Sequence, residues 1–262
     1  MLRTSNPVLN ERIFVPQTAY EHHAAGASVM TLNGAVTATA ILLGICAATG
    51  IAVWSFAAAN TALILPTVLG GSLTSLVLVA ICAFKPKASP YLALPIAVCQ
   101  GAFAGGASVF WSMYAAGAKG GIVASLGVGL VLQSVLLTLA VAGTLLFLYT
   151  TRIINPTENF KLGVAAATGG LFFFCLASLV LNLVGVQIPY IWGNGLIGIG
   201  FAVLIVVIAA LNLVLDFDFI EQGAEQRLPK HMEWLGAIGL LVTLVWLYVS
   251  ILRLLAKLQS RD

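Results

Sequence analysis

Apolar residues run along this chain in blocks that are too continuous for amphipathic helices and too long for strands. Seven mostly apolar stretches stand out, at 34–57, 61–84, 91–114, 121–150, 163–184, 190–215 and 234–256. The hydrocarbon slab of a bilayer is ~30 Å thick and a helix rises ~1.5 Å per residue, so about 20 apolar residues make one crossing. Each stretch therefore predicts one spanning helix. The fourth is long for one crossing and too short for two, which predicts a tilted or protruding helix. None alternates apolar and polar residues with period two, so a β-barrel is excluded. The pattern predicts an all-α membrane protein: a seven-transmembrane-helix bundle at 34–257, after a polar cytoplasmic tail at 1–33 and before a short C-terminal tail at 258–262.

Local signals refine the pattern. The break around Asn60 is short, so the first two helices form an antiparallel hairpin. Pro66 and Pro95 lie inside apolar runs and are expected to kink their helices and free a carbonyl. Asn155, Pro156 and Glu158 read as N-cap, first helical position and third position of the fifth helix. Gly223 reads as the stop of the sixth. The glycine-rich segments GAFAGGAS at 101–108 and AAATGG at 165–170 predict close helix contacts, because small residues let backbones approach in lipid. GAFAGG lacks the strand-to-helix context of a nucleotide fingerprint and is not read as one.

Composition agrees with a bilayer and removes other classes. Of 262 residues, 60% are hydrophobic and 8% charged, with mean hydropathy +1.05. Ordinary globular domains carry about 25% charged residues, so this chain cannot clothe a water-facing surface. The net charge of +3 is scattered through loops, with no basic cluster that would suit nucleic acid. Cys46, Cys82, Cys99 and Cys175 all sit in apolar runs without metal-type spacing, and read as small buried hydrophobes. The first 30 residues lack the apolar core of a cleavable signal. Orientation follows from lysine and arginine. With the N-terminus inside, Arg3, Arg12, Lys85, Lys87, Arg152, Lys161, Arg227 and Lys230 are cytoplasmic, against Lys119, Arg253, Lys257 and Arg261 outside. The bias predicts a cytoplasmic N-terminus in a cell (inner) membrane.

Charge is nearly absent from 34–215, and then LDFDFIEQ places Asp216, Asp218 and Glu221 within six residues. Carboxylates at the edge of hydrocarbon need partners, water or a function. At 100° per residue Asp216 and Asp218 point to nearly opposite sides, and Asn212 lies one turn before Asp216 on its face. The expected arrangement turns Asn212 and Asp216 inward and Asp218, Glu221 and Glu225 toward cytoplasmic water. Acids in the last turns oppose the helix dipole, so compensation is expected from Arg227, Lys230, Lys85, Lys87 or Arg152. Desolvation and a nearby cation act oppositely on an interior carboxyl, so Asp216 reads either as a charge switch gating a polar path or as an interfacial acid bound to loop amides. Gln100, Gln133, Asn182 and Asn194 read as interhelical hydrogen-bonders. Glu21, His22, His23 and His231 read as solvated, and metal ligands remain unassigned. No histidine lies in a span, which argues against a Ser–His hydrolase, and the seventh span has no lysine for a retinal Schiff base. No P-loop is present. An enzyme is not expected, nor a cofactor.

LDFDFIEQ at the end of the sixth helix, GLLVTLVWLYVSILRLL in the seventh, RTSNPVLNERIF near the start and NPTENFKLGVAAATGG together resemble the Bax inhibitor family of transmembrane proteins, and its bacterial YccA-type branch in particular. The resemblance spans essentially the whole chain. It implies a bundle wrapped around a central last helix, and a pH-sensitive calcium leak attributed to two aspartates on the sixth and seventh helices. Asp216 occupies the first of these positions. Thr243 stands at the second, with Ser250 two turns further along, and Gln100-Gly101 replaces an acid-glycine pair of the third helix. A single carboxylate cannot share a proton with a like-charged neighbour, so the sharp response of a dyad is not implied for this chain.

Two functions follow as expectations. One is a passive leak with Ca2+ as permeant ion, gated by Asp216 with Asn212, Thr243, Asp218 and Glu221 along the path and Lys85, Lys87 or Arg152 as latch. The other is a non-conducting regulator that binds membrane proteins, such as a membrane AAA protease, through its polar tail.

Overall fold

The structure is a computed structural model that describes residues 29–117, 123–154, 156–185, 193 and 195–260. Seven long helices carry the described chain: α1 (Leu32–Ala59), α2 (Ile64–Phe84), α3 (Ser89–Gly117), α4 (Val123–Thr150), α5 (Glu158–Leu183), α6 (Leu196–Glu225) and α7 (His231–Gln259). All seven are long and apolar enough to cross a membrane. Their outer flanks present Phe56, Leu65, Leu76, Phe84, Leu136 and Phe173, each more than 60% exposed, a surface that only lipid solvates. The chain is thus a multi-pass helical membrane protein. The tail at 1–28 and Asn194 lie outside the described residues.

Each boundary has a local cause. Thr31 caps α1, its Oγ1 accepting from Gly34 N at 3.0 Å. Asn60 ends α1 and caps a single 3-10 turn, Thr61–Leu63, that leads into α2. Pro66 falls in the first turn of α2, where a missing N–H costs nothing, so the expected kink has no basis there. Pro95 does lie inside α3 and leaves the carbonyl four residues earlier without its usual donor.

The expected cap of α5 shifts. Asn155 lies outside the described residues, and Thr157 is the cap, accepting from Phe160 N at 3.3 Å. Gly223 is likewise not a stop: α6 passes through it and ends two residues later. Arg227 (φ 50°) takes the left-handed position, and Leu228 N returns to Gly223 O at 3.0 Å, closing the helix by a Schellman-type turn. Gly223 instead makes room for Met30, whose Sδ lies 2.8 Å from where a Cβ would be.

The centre is shared by two helices. Windows of α3 and α7 are 56% buried, against 22% or less for α1, α2, α4 and α5. The last helix is therefore central, as expected, and α3 is its equal. Gly101 and Gly105 explain how α3 reaches α1: a Cβ at either would stand 2.5 Å from the carbonyl of Cys46 or Gly50. The second glycine segment behaves otherwise, since Gly169 and Gly170 face open space. An apolar cluster of α1, α2, α3 and α7 (Leu42, Cys82, Ile96, Ile238, Leu241) fills one half of the bundle. A second, of α6 and α7 (Ala209, Leu213, Leu247, Ile251), fills the other. All four cysteines are free.

Candidate functional site

The start of α1, the end of α2, the start of α3, the end of α4, the start of α5, the end of α6 and the start of α7 meet at one end of the bundle. The acidic segment is at this end, inside the last three turns of α6. No residue from Leu196 to Glu225 breaks the helix, so the carboxylates are fixed on it and fan out to different neighbours.

Asp216 turns to α7. Thr243 is the polar side chain of α7 that shares its cavity. Gly239, one turn closer to the end, leaves space beside Oδ1, where a Cβ would stand at 3.4 Å. Oδ2 is closed off from solvent and has no hydrogen-bond partner. Both side chains line a cavity of about 310 Å³ between α2, α6 and α7, whose other walls include Val79, Cys82, Phe219 and Val242. Away from the acidic end the same seam is sealed by Leu213 and Leu247, both 0% exposed.

Asn212 does not continue this arrangement. Its Nδ2 donates to Thr168 Oγ1 of α5 at 2.7 Å and to its own helix at Ile208 O. The face it shares with Asp216 reaches two different helices, so no continuous polar pair is formed.

Asp218 and Glu221 are not turned to open water as expected. Asp218 keeps 15% side-chain exposure and is bound by Lys161 Nζ of α5 at 2.9 Å, with Gln222 Nε2 donating to Oδ2 at 2.7 Å. Lys161 also reaches Glu158 at 3.1 Å. Glu221, 22% exposed, meets Arg152 Nη2 at 2.6 Å and accepts from the Tyr149 hydroxyl. Two cations, Lys161 of α5 and Arg152 in the turn after α4, thus neutralise the acids that oppose the α6 dipole. Of the expected latch residues, Arg152 forms an ion pair with Glu221 and not with Asp216. Lys85 and Lys87 are exposed, and neither pairs with an acid among the described residues.

A second carboxylate is buried at this end. Glu233, in the first turn of α7, is 4% exposed and accepts from Thr31 N at 2.9 Å and Thr31 Oγ1 at 3.0 Å. Beside this clasp Met30 N donates to Leu228 O at 2.7 Å, and Val29 bridges Pro229. Ser89 Oγ donates to His231 O at 2.7 Å, tying the α2–α3 corner to the same loop. Sequence reasoning missed Glu233, Lys161, Tyr149 and Thr168 as parts of the site. For Glu233 a signal existed, an acid in the first turn of an apolar helix; for the others nothing in the sequence marks the partner. Gln100 behaves as expected, donating to Ser75 Oγ at 3.0 Å between α3 and α2. Gln133 and Asn182 are exposed. Among the described residues no three His, Cys, Asp or Glu side chains gather as a metal site.

No curated protein and no solved structure matches the chain. The family model described as Bax inhibitor 1 like matches residues 6–260, nearly the whole sequence, including α6 with its acidic end and α7 with Thr243. With seven spanning helices and a central last one, the chain belongs to the Bax inhibitor 1 like family.

Proposed function

We propose that this protein is a cation leak, with Ca2+ as permeant ion, held closed at Asp216 and set with its N-terminus in the cytoplasm. The observation that supports it most is the placing of Asp216 beside Thr243: a lone carboxylate in the α6–α7 seam, with one oxygen unsatisfied and apolar side chains beyond it. An interior carboxylate is costly, and its natural uses are a cation route or a proton relay. Opening the seam past Leu213 and Leu247 would join the two membrane faces through this group. Asp218, Glu221, Lys161 and Arg152 form a charged rim at the mouth. The test is release of trapped Ca2+ from proteoliposomes. Wild-type protein should release it, and Asp216→Asn should remove the pH dependence while the fold persists. Absence of release at every pH sinks the leak.

A second reading has its own observation. Val29 and Met30 strap the end of the polar tail onto the α6–α7 loop, so force on the tail acts directly on the acidic end. This favours a regulator that engages a membrane protein, such as a membrane AAA protease, through residues 1–28. Removal of those residues should then abolish co-purification with such a partner and leave α1 to α7 folded.

A further inference from the structure

The cavity at Asp216 lies between α2 and α6, which scarcely approach each other: α2 packs along α3 and shares an apolar cluster with α7. Phe219 lines the cavity and is also 42% exposed, which puts the opening on the flank that meets the bilayer. Asp216 is two to three turns inside the end of α6, so the opening lies at hydrocarbon depth or just above it.

We propose that this lateral groove binds an amphiphilic ammonium compound, a long-chain primary amine with its head on Asp216 and its alkyl chain along the α2 wall. The chemistry of the lining selects this occupant. No cationic side chain lines the groove, and its one carboxylate, Asp216, has no ion pair among the described residues. In a low dielectric such a group demands a cation or a donor. A calcium ion takes about 6–8 oxygens, whereas the groove offers one carboxylate and one hydroxyl. An ammonium has three donors and is satisfied by fewer acceptors. Val79, Val242 and Phe219 supply apolar walls for an alkyl chain. The volume of about 310 Å³ is at the lower end of small-molecule sites, and a partner helix ~10 Å across is too wide for it. The inference rests on Asp216 facing the groove and does not require ion conduction.

The test uses the full chain in phosphatidylcholine nanodiscs with tritiated dodecylamine, empty nanodiscs giving the background from partition. Saturable binding above that background is expected, displaced by unlabelled dodecylamine and not by dodecanol or dodecanoate. Asp216→Asn should weaken it by about tenfold or more, the loss of a charge-assisted contact. Val79→Trp should fill the groove and abolish binding with Asp216 intact, which covers the case in which the asparagine variant fails to fold. The proposal is overturned by binding no greater than to empty nanodiscs, by equal displacement with dodecanol, or by a Val79→Trp protein that binds like wild type. No ion gradient is present, so a failure of the leak reading leaves this result unchanged.

Discussion

The Glu233 clasp can be tested by a double-mutant cycle, because the structure fixes both of its sides. Glu233→Ala removes an anion from the N-terminus of α1 and the acceptor of two Thr31 donors, at 2.9 and 3.0 Å. Hydrogen bonds to charged groups contribute ~1.5–3 kcal/mol each and an N-terminal anion ~0.3–1. Thr31 is exposed, so its freed donors regain water and the net loss falls to about 2 kcal/mol. Gly34→Ala attacks the other side, since a Cβ there collides with the Glu233 carboxylate and expels it. It should cost about as much, less the ~1 kcal/mol that alanine gains over glycine in a helix. In the double variant the methyl occupies space the carboxylate has left, so it should be no less stable than Glu233→Ala alone, a coupling of about 1–2 kcal/mol. Denaturant unfolding in detergent micelles, followed by tryptophan fluorescence, measures all four corners, and Trp234 adjoins the site. Additivity within ~0.5 kcal/mol would refute the clasp.

Other consequences follow from the same contacts. Lys161→Met strands Asp218, whose side chain is only 15% exposed, and should lower stability measurably, whereas Glu158→Ala, at 90% exposure, should leave it unchanged. Unfolding in micelles separates the two, and equal effects would mean that Asp218 is adequately hydrated. Gly101→Leu places a side chain against the Cys46 carbonyl and should prevent accumulation of folded protein, while Gly169→Ala meets open space and should be tolerated. Size-exclusion profiles of the two variants check this.

The fold was legible because the bilayer imposes a length rule that apolar runs report directly. Run ends were less legible wherever polar residues continue a helix. LDFDFIEQGAE contains no breaker, so α6 carries its acids on helical turns, and Gly223 serves packing with Met30 instead of termination. Spacing alone set Asp216 and Asp218 on different sides of α6. The partners of Asn212, Asp218 and Glu221 did not follow from it, because they depend on how each helix is rotated about its own axis. Thr168, Lys161 and Tyr149 become neighbours of α6 only once α4 and α5 are docked. Glu233 was hidden for a related reason: its partner Thr31 lies 202 residues away.

The central claim is that one carboxylate, without an acidic partner, governs a cation path. The direct measurement is the slope of calcium release against pH in proteoliposomes, for wild type, Asp216→Asn and Thr243→Asp. A single site titrates as one proton, so wild-type release should follow a curve of unit Hill slope, and Asp216→Asn should give a flat response. Thr243→Asp sets a second carboxylate beside the first, and two such groups resist ionising together, so its response should spread into two separated steps. A wild-type response steeper than one proton, or a pH dependence that survives in Asp216→Asn, would contradict the account.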